Sequence, residues 1–94
     1  MSNVSEKTSG NNATQVLPDV LTWPWAQFIT YQKHMPKFNS EHEAIAVLKQ
    51  DVDELWDSMR LDERDPNRKH QVKYGAIRVA ATAMKFLRDC CDVN

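Results

Sequence analysis

The stretch that decides the fold is His42-Glu43-Ala44-Ile45-Ala46-Val47-Leu48-Lys49-Gln50-Asp51-Val52-Asp53-Glu54-Leu55-Trp56. At about 100° per residue, Ala44, Ile45, Leu48, Val52, Leu55, Trp56 and the later Met59 fall in one stripe, the spacing of an amphipathic helix with a buried face. Asp51 and Glu54 lie just outside that stripe. Side chains three apart on a helix stand roughly 5 to 6 Å apart at Cβ, so these two carboxylates can reach one cation while the adjacent face packs. They are candidate metal ligands, but only half of a site: Mg²⁺ held by helices takes about two to four carboxylates converging from facing elements.

Upstream, Phe38-Asn39-Ser40-Glu41-His42-Glu43 reads as the start of this helix. Asn39 or Ser40 caps it, Glu43 stands three residues after Ser40 as in a capping box, and Glu41 suits the positive end of the dipole. The helix begins near residue 41 and runs to about Arg60. Before it, Thr22 is placed to cap a helix whose first turn takes Pro24 and which ends before Pro36. Trp25, Phe28, Ile29 and Gln32 follow its repeat and predict an aromatic face over the core. Residues 1–17 are rich in Ser, Asn, Thr and Gly with almost no large apolar side chains, which predicts a flexible tail ahead of a helical domain over 18–94.

Downstream, the charged connection Leu61 to Arg68 leads into a third helix, predicted from Pro66 to Cys91. Val72, Ala76, Ile77, Val79, Ala80, Ala83, Met84 and Leu87 make a wide apolar band on it, and the small residues at 80, 81 and 83 allow another helix close approach. Helices two and three form an antiparallel hairpin, half of a four-helix bundle completed by another chain. The fold class is all-α: 2 Gly and 4 Pro with no hairpin signals leave little for strands.

Ninety-four residues bury only about 60 to 65% of the unfolded surface, which favours a homo-oligomer. With 12 basic and 13 acidic side chains the net charge is -1, so neither a basic field for nucleic acid nor an acidic solvating composition is present. The adjacent Cys90 and Cys91 are read as free, inert thiols, and with no signal segment and no run long enough to span a bilayer, a cytoplasmic location and no membrane partner are expected. His34, His42 and His70 lack metal-ligand spacing. The third helix carries Arg68, Lys69, His70, Lys73, Arg78, Lys85 and Arg88, read as a solvated basic face, with no acid between Asp65 and Asp89.

Over about Ser40 to Asp89 the chain resembles the MazG-like all-α nucleoside triphosphate pyrophosphohydrolases, especially short bacterial and phage forms. His42 to Trp56 is similar to the family's first catalytic helix, with its Glu-Glu-x-x-Glu pattern, and Tyr74-Gly75-Ala76-Ile77-Arg78-Val79-Ala80-Ala81-Thr82-Ala83-Met84 to its second. The resemblance implies a dimer or tetramer that cleaves a nucleoside triphosphate to monophosphate and pyrophosphate, using Mg²⁺ held by carboxylates of both helices. Asp51 and Glu54 keep the acidic pair of the first motif. Gln50 stands where its leading Glu would be, and Gly75 and Arg78 stand where the second motif has a Glu-x-x-Asp pair.

Two readings follow. One is a nucleotide pyrophosphohydrolase whose missing ligands come from another chain, with catalysis weakened or lost. The other is a non-catalytic helical interaction protein on the same fold, engaging a nucleotide or a protein partner. Arg78 is read either as pairing with Asp51 or Glu54 in lieu of a metal ion or as simply solvated.

Overall fold

The structure, a computed structural model, describes residues 18–92 and is all-α over them. Helix α1 spans Asp19–His34, α2 spans Glu41–Met59 and α3 spans Arg68–Phe86, continued by a π-helical turn over Leu87–Cys91. The tail expected over 1–17 lies outside the described residues. α3 is the central element, packed against α2 along one side and against α1 along another.

The start of α2 is the capping box read from the sequence. Ser40, in extended backbone, accepts the Glu43 N–H on its side-chain oxygen at 3.1 Å, and Glu43 Oε1 reaches back to accept the Asn39 N–H at 2.6 Å. The helix ends at Met59 without a basic residue in its last turn. Arg68, at the head of α3, makes up for this by donating from Nη2 to the Met59 carbonyl at 3.3 Å, one of the groups a helix terminus leaves unpaired.

Two boundaries differ from expectation. α1 begins at Asp19 behind Pro18, a turn earlier than a Thr22 cap allows; the Thr22 hydroxyl instead donates back to the Asp19 carbonyl at 2.7 Å, inside the helix. Pro24 therefore lies at the sixth helical position rather than in the first turn. α3 begins at Arg68 rather than Pro66, because the Asp65 carboxylate accepts the Asn67 N–H at 2.8 Å and holds 65–67 in a side-chain-closed turn. At its far end, regular α-helix stops at Phe86 and the widened turn carries the chain to Cys91.

The burial pattern corrects the expected apolar stripe of α2. Ala44 is fully buried and Leu48 and Leu55 half-buried against α3, but Ile45, Val52, Trp56 and Met59 are 44%, 46%, 58% and 47% exposed. These four lie one helical face further round, so α3 covers only half of the arc. On α3 the correction runs the other way. The strip Gly75, Thr82 and Lys85, which contains no large apolar group, is buried, while Ala76 and Leu87 from the apolar band are exposed. The large apolar residues buried among the described residues are Phe28 and Ile77, 6% and 8% exposed, joined by the fully enclosed small Ala44 and Ala81.

Gly75 explains the inward turn of that strip. A Cβ built on it would stand 3.0 Å from Leu55 Cδ1 and 3.3 Å from Leu55 Cα. The α2 and α3 backbones thus approach at the one place where α3 carries no side chain.

Candidate functional site

Asp51 is the acid that the fold draws inward. It leaves α2 toward α3 and is half-buried, and its Oδ2 accepts the Thr82 hydroxyl at 2.5 Å; Thr82 itself is 2% exposed. Tyr31 of α1 completes a polar junction of all three helices. Burial, then the negative charge of Asp51, push the Tyr31 phenol above its ordinary range, against the opposing pull of Thr82, Arg78 and Gln27. Tyr31 therefore stays a neutral phenol at this junction through the physiological range.

Glu54, the second sequence-predicted ligand, sits one turn along α2 and is exposed. Among the described residues only its backbone is engaged outside the helix ladder, its carbonyl accepting the Ser58 hydroxyl at 3.0 Å. Among the described residues no group of three or more His, Cys, Asp or Glu side chains is placed to hold a metal ion. Asp51 and Glu54 alone do not fit the donor set that a helix-bound Mg²⁺ requires, and Asp51 already spends one oxygen on Thr82.

The expected pairing of Arg78 with Asp51 or Glu54 is not formed. The side-chain ion pairs among the described residues are Arg60 with Asp57, Arg64 with Asp62, and Lys85 and Arg88 with Asp89. Arg78 is half-buried near the junction and acts on Tyr31 through its charge. In place of Arg78, the Thr82 hydroxyl one turn along α3 supplies the donor that Asp51 Oδ2 accepts, a neutral group where the sequence suggested a cation.

A second polar cluster is absent from the sequence reading. Lys85 and Asp89, each with a side chain only 3% exposed, pair at 2.5 Å across one turn at the end of α3. Lys85 Nζ also donates to the Pro36 carbonyl at 2.8 Å and lies 3.8 Å above the Phe38 ring, and the Phe38 N–H donates to Asp89 Oδ2 at 3.0 Å. The pair thereby ties the α1–α2 connection to the end of α3. Burial works against the Asp89 charge, but the hydrogen bonds from Lys85 and the Phe38 amide and the charges of Lys85 and Lys37 outweigh it and hold this carboxyl below its ordinary range. The Lys-x-x-x-Asp spacing was visible; that Pro36 and Phe38 would close over it was not.

The cysteines behave as read. Both are free, and burial together with Asp89, Cys91 and Glu41 pushes the Cys90 thiol up, away from thiolate chemistry. Among the described residues no helix is long and apolar enough to cross a membrane.

No protein-family model matches this chain, and no curated protein or solved structure matches it either.

Proposed function

We propose that this chain is a helical assembly module that pairs with further copies of itself through α2, on a scaffold similar to that of the MazG-like enzymes. The observation that carries the reading is the stripe of Ile45, Val52, Trp56 and Met59, each about half exposed and successive along one face of α2. An apolar stripe of this length on a helix is the usual mark of a helix–helix interface, and its spacing of Ile45, Val52 and Met59 is the seven-residue repeat of a coiled-coil seam. A dimer or tetramer formed there would complete the four-helix layer that α2 and α3 begin. The free thiols at Cys90 and Cys91 accord with a reducing compartment such as the cytoplasm.

Sedimentation equilibrium of the full chain tests this. The expected result is a dimer or tetramer at micromolar concentration, with Val52→Glu shifted at least tenfold toward monomer while keeping its helical circular dichroism. A parent chain that is monomeric throughout, or a Val52→Glu variant that assembles as well as the parent, rejects the proposal.

Asp51 favours a second reading. A half-buried carboxylate at a three-helix junction, with Glu54 a turn away and Arg78 nearby, accords with a nucleotide pyrophosphohydrolase that draws its remaining Mg²⁺ ligands from another copy. It predicts Mg²⁺-dependent pyrophosphate release from a panel of nucleoside triphosphates, lost in Asp51→Asn, a variant that can still accept the Thr82 hydrogen bond. Equal release by parent and variant would remove Asp51 from the chemistry, and no release by the assembled parent would leave the interaction role alone.

A further inference from the structure

The N-terminal halves of α1 and α3 meet in a contact that neither reading above uses. Lys73 Nζ stands 3.9 Å over the Trp23 ring and 5.5 Å from the Tyr74 ring, and His70 lies nearly parallel to Tyr74, 13° apart in plane with centroids 6.2 Å apart. The Trp23–Lys73 contact straddles a groove between the two helices, with a hollow of about 280 Å³ on one side and about 380 Å³ on the other. Ile77 floors both hollows, and Gln27 and Thr30 line the first.

The chemistry of this groove is selective. Lys73 lines both hollows and has no acidic partner within salt-bridge distance among the described residues, while Arg68, a turn earlier on α3, is turned to the Met59 carbonyl of α2. The unpaired Lys73 ammonium calls for an anion, and the Trp23 ring face calls for a flat aromatic body. A cation over an exposed ring is held more weakly than a stacked nucleobase, so a base can take the ring face from Lys73 while the flexible lysine stem carries its ammonium to an attached phosphate. Gln27 offers a donor and an acceptor together, the pattern that pairs with an adenine edge. The two hollows, about 280 and 380 Å³, lie at the bottom edge of the range for small-molecule sites, about 300 to 1,000 Å³, and have room for one nucleotide rather than a run of them.

We propose that the α1–α3 groove straddled by Trp23 and Lys73 is a binding site for a mononucleotide, the base stacking on Trp23 and the phosphate meeting Lys73. The site shares only Gln27 with the Asp51 junction, where its side chain hydrogen-bonds Tyr31, and takes nothing from the α2 stripe; Trp23 and Lys73, which carry it, belong to neither reading above.

Titration of the full chain with adenosine 5′-monophosphate, followed by amide chemical shifts, decides it. The expected result is saturable shifts centred on Trp23, Gln27 and Lys73, with adenosine alone and inorganic phosphate alone each at least tenfold weaker. Trp23→Leu should weaken binding tenfold or more, and Lys73→Gln should weaken it severalfold and flatten its salt dependence, both with parent-like circular dichroism. No saturable shift with the monophosphate, parent-like binding by Trp23→Leu, or shifts confined to the Asp51 junction would overturn the proposal. So would an eight-nucleotide single strand binding a hundredfold more tightly, which points to nucleic acid, or concentration-dependent shifts at Trp23 without nucleotide, which point to a second copy of the chain.

Discussion

Lys85 is the residue on which the described fold depends most locally. Its ammonium has three partners, the Asp89 carboxylate, the Pro36 carbonyl and the Phe38 ring, and almost no contact with water. Removing one member of a buried pair strands the other, so Lys85→Met should cost about 3 to 5 kcal/mol, whereas Lys85→Met with Asp89→Leu should recover much of that loss. Thermal or denaturant melts of the two variants give the comparison. The same pair sets an acid limit. Folding lowers the Asp89 pKa, so the unfolded chain binds this proton more tightly than the folded one. The stabilisation is complete above the unfolded value, about 3.9, and is lost as pH falls from there through the lower folded value. Melting temperatures measured from about pH 6 down to pH 2 should show this loss in the parent and a smaller one in Asp89→Asn.

At the scale of the helix, Gly75 sets the spacing of α2 and α3. Alanine there gains about 1 kcal/mol of helix propensity, but its Cβ meets Leu55 at 3.0 Å on the side chain and 3.3 Å on the backbone Cα. The side-chain end can rotate away; the backbone cannot. Overpacking costs of about 1 to 3 kcal/mol outweigh the propensity gain, and Gly75→Ala should be destabilised by about 1 kcal/mol. Denaturant titration measures the difference, and a more stable variant would show that the helices part freely. The same geometry gives Gly75 a packing reason that the family pattern does not suggest: glutamate there would have to push α2 away before it could offer a ligand.

Much of the element order was legible. The capping box of α2, its end near residue 60 and the break before Pro36 follow from side chains that act on their own backbone, which are local in sequence. What was not legible came from neighbours distant in the chain. The apolar repeat of α2 located a stripe but not which half of it α3 would cover, since periodicity names a face and not its partner. Asp51 was found as a candidate by its spacing; that Thr82 would hold it, and that Arg78 would not, depends on the relative rotation of two helices. Lys85 read as part of a solvated face, and its pairing with Asp89 went unread, because their cover comes from Pro36 and Phe38, some fifty residues earlier.

At the scale of the whole arrangement, the described residues form three α-helices of which one packs against both others, with a thin buried core and polar groups at two of its junctions. A protein so built draws little stability from burial within one chain, and the exposed α2 stripe is where more can be gained. Melting temperature should accordingly rise with protein concentration in the parent and become independent of it in Val52→Glu. Calorimetry over a wide concentration range reads this directly.

The tie between Phe38 and Asp89 spans 51 residues, and the one between Pro36 and Lys85 spans 49. Closing so long a loop is entropically unfavourable until α2 and α3 have already docked, so these hydrogen bonds are expected to form in the last stage of folding. Contacts made after the rate-limiting step govern the escape from the native state rather than the approach to it. In stopped-flow experiments Lys85→Met should therefore unfold much faster than the parent while refolding at nearly the same rate. The buried charges at the end of α3 would then act as a kinetic clasp, setting how long each folded molecule lasts before it opens.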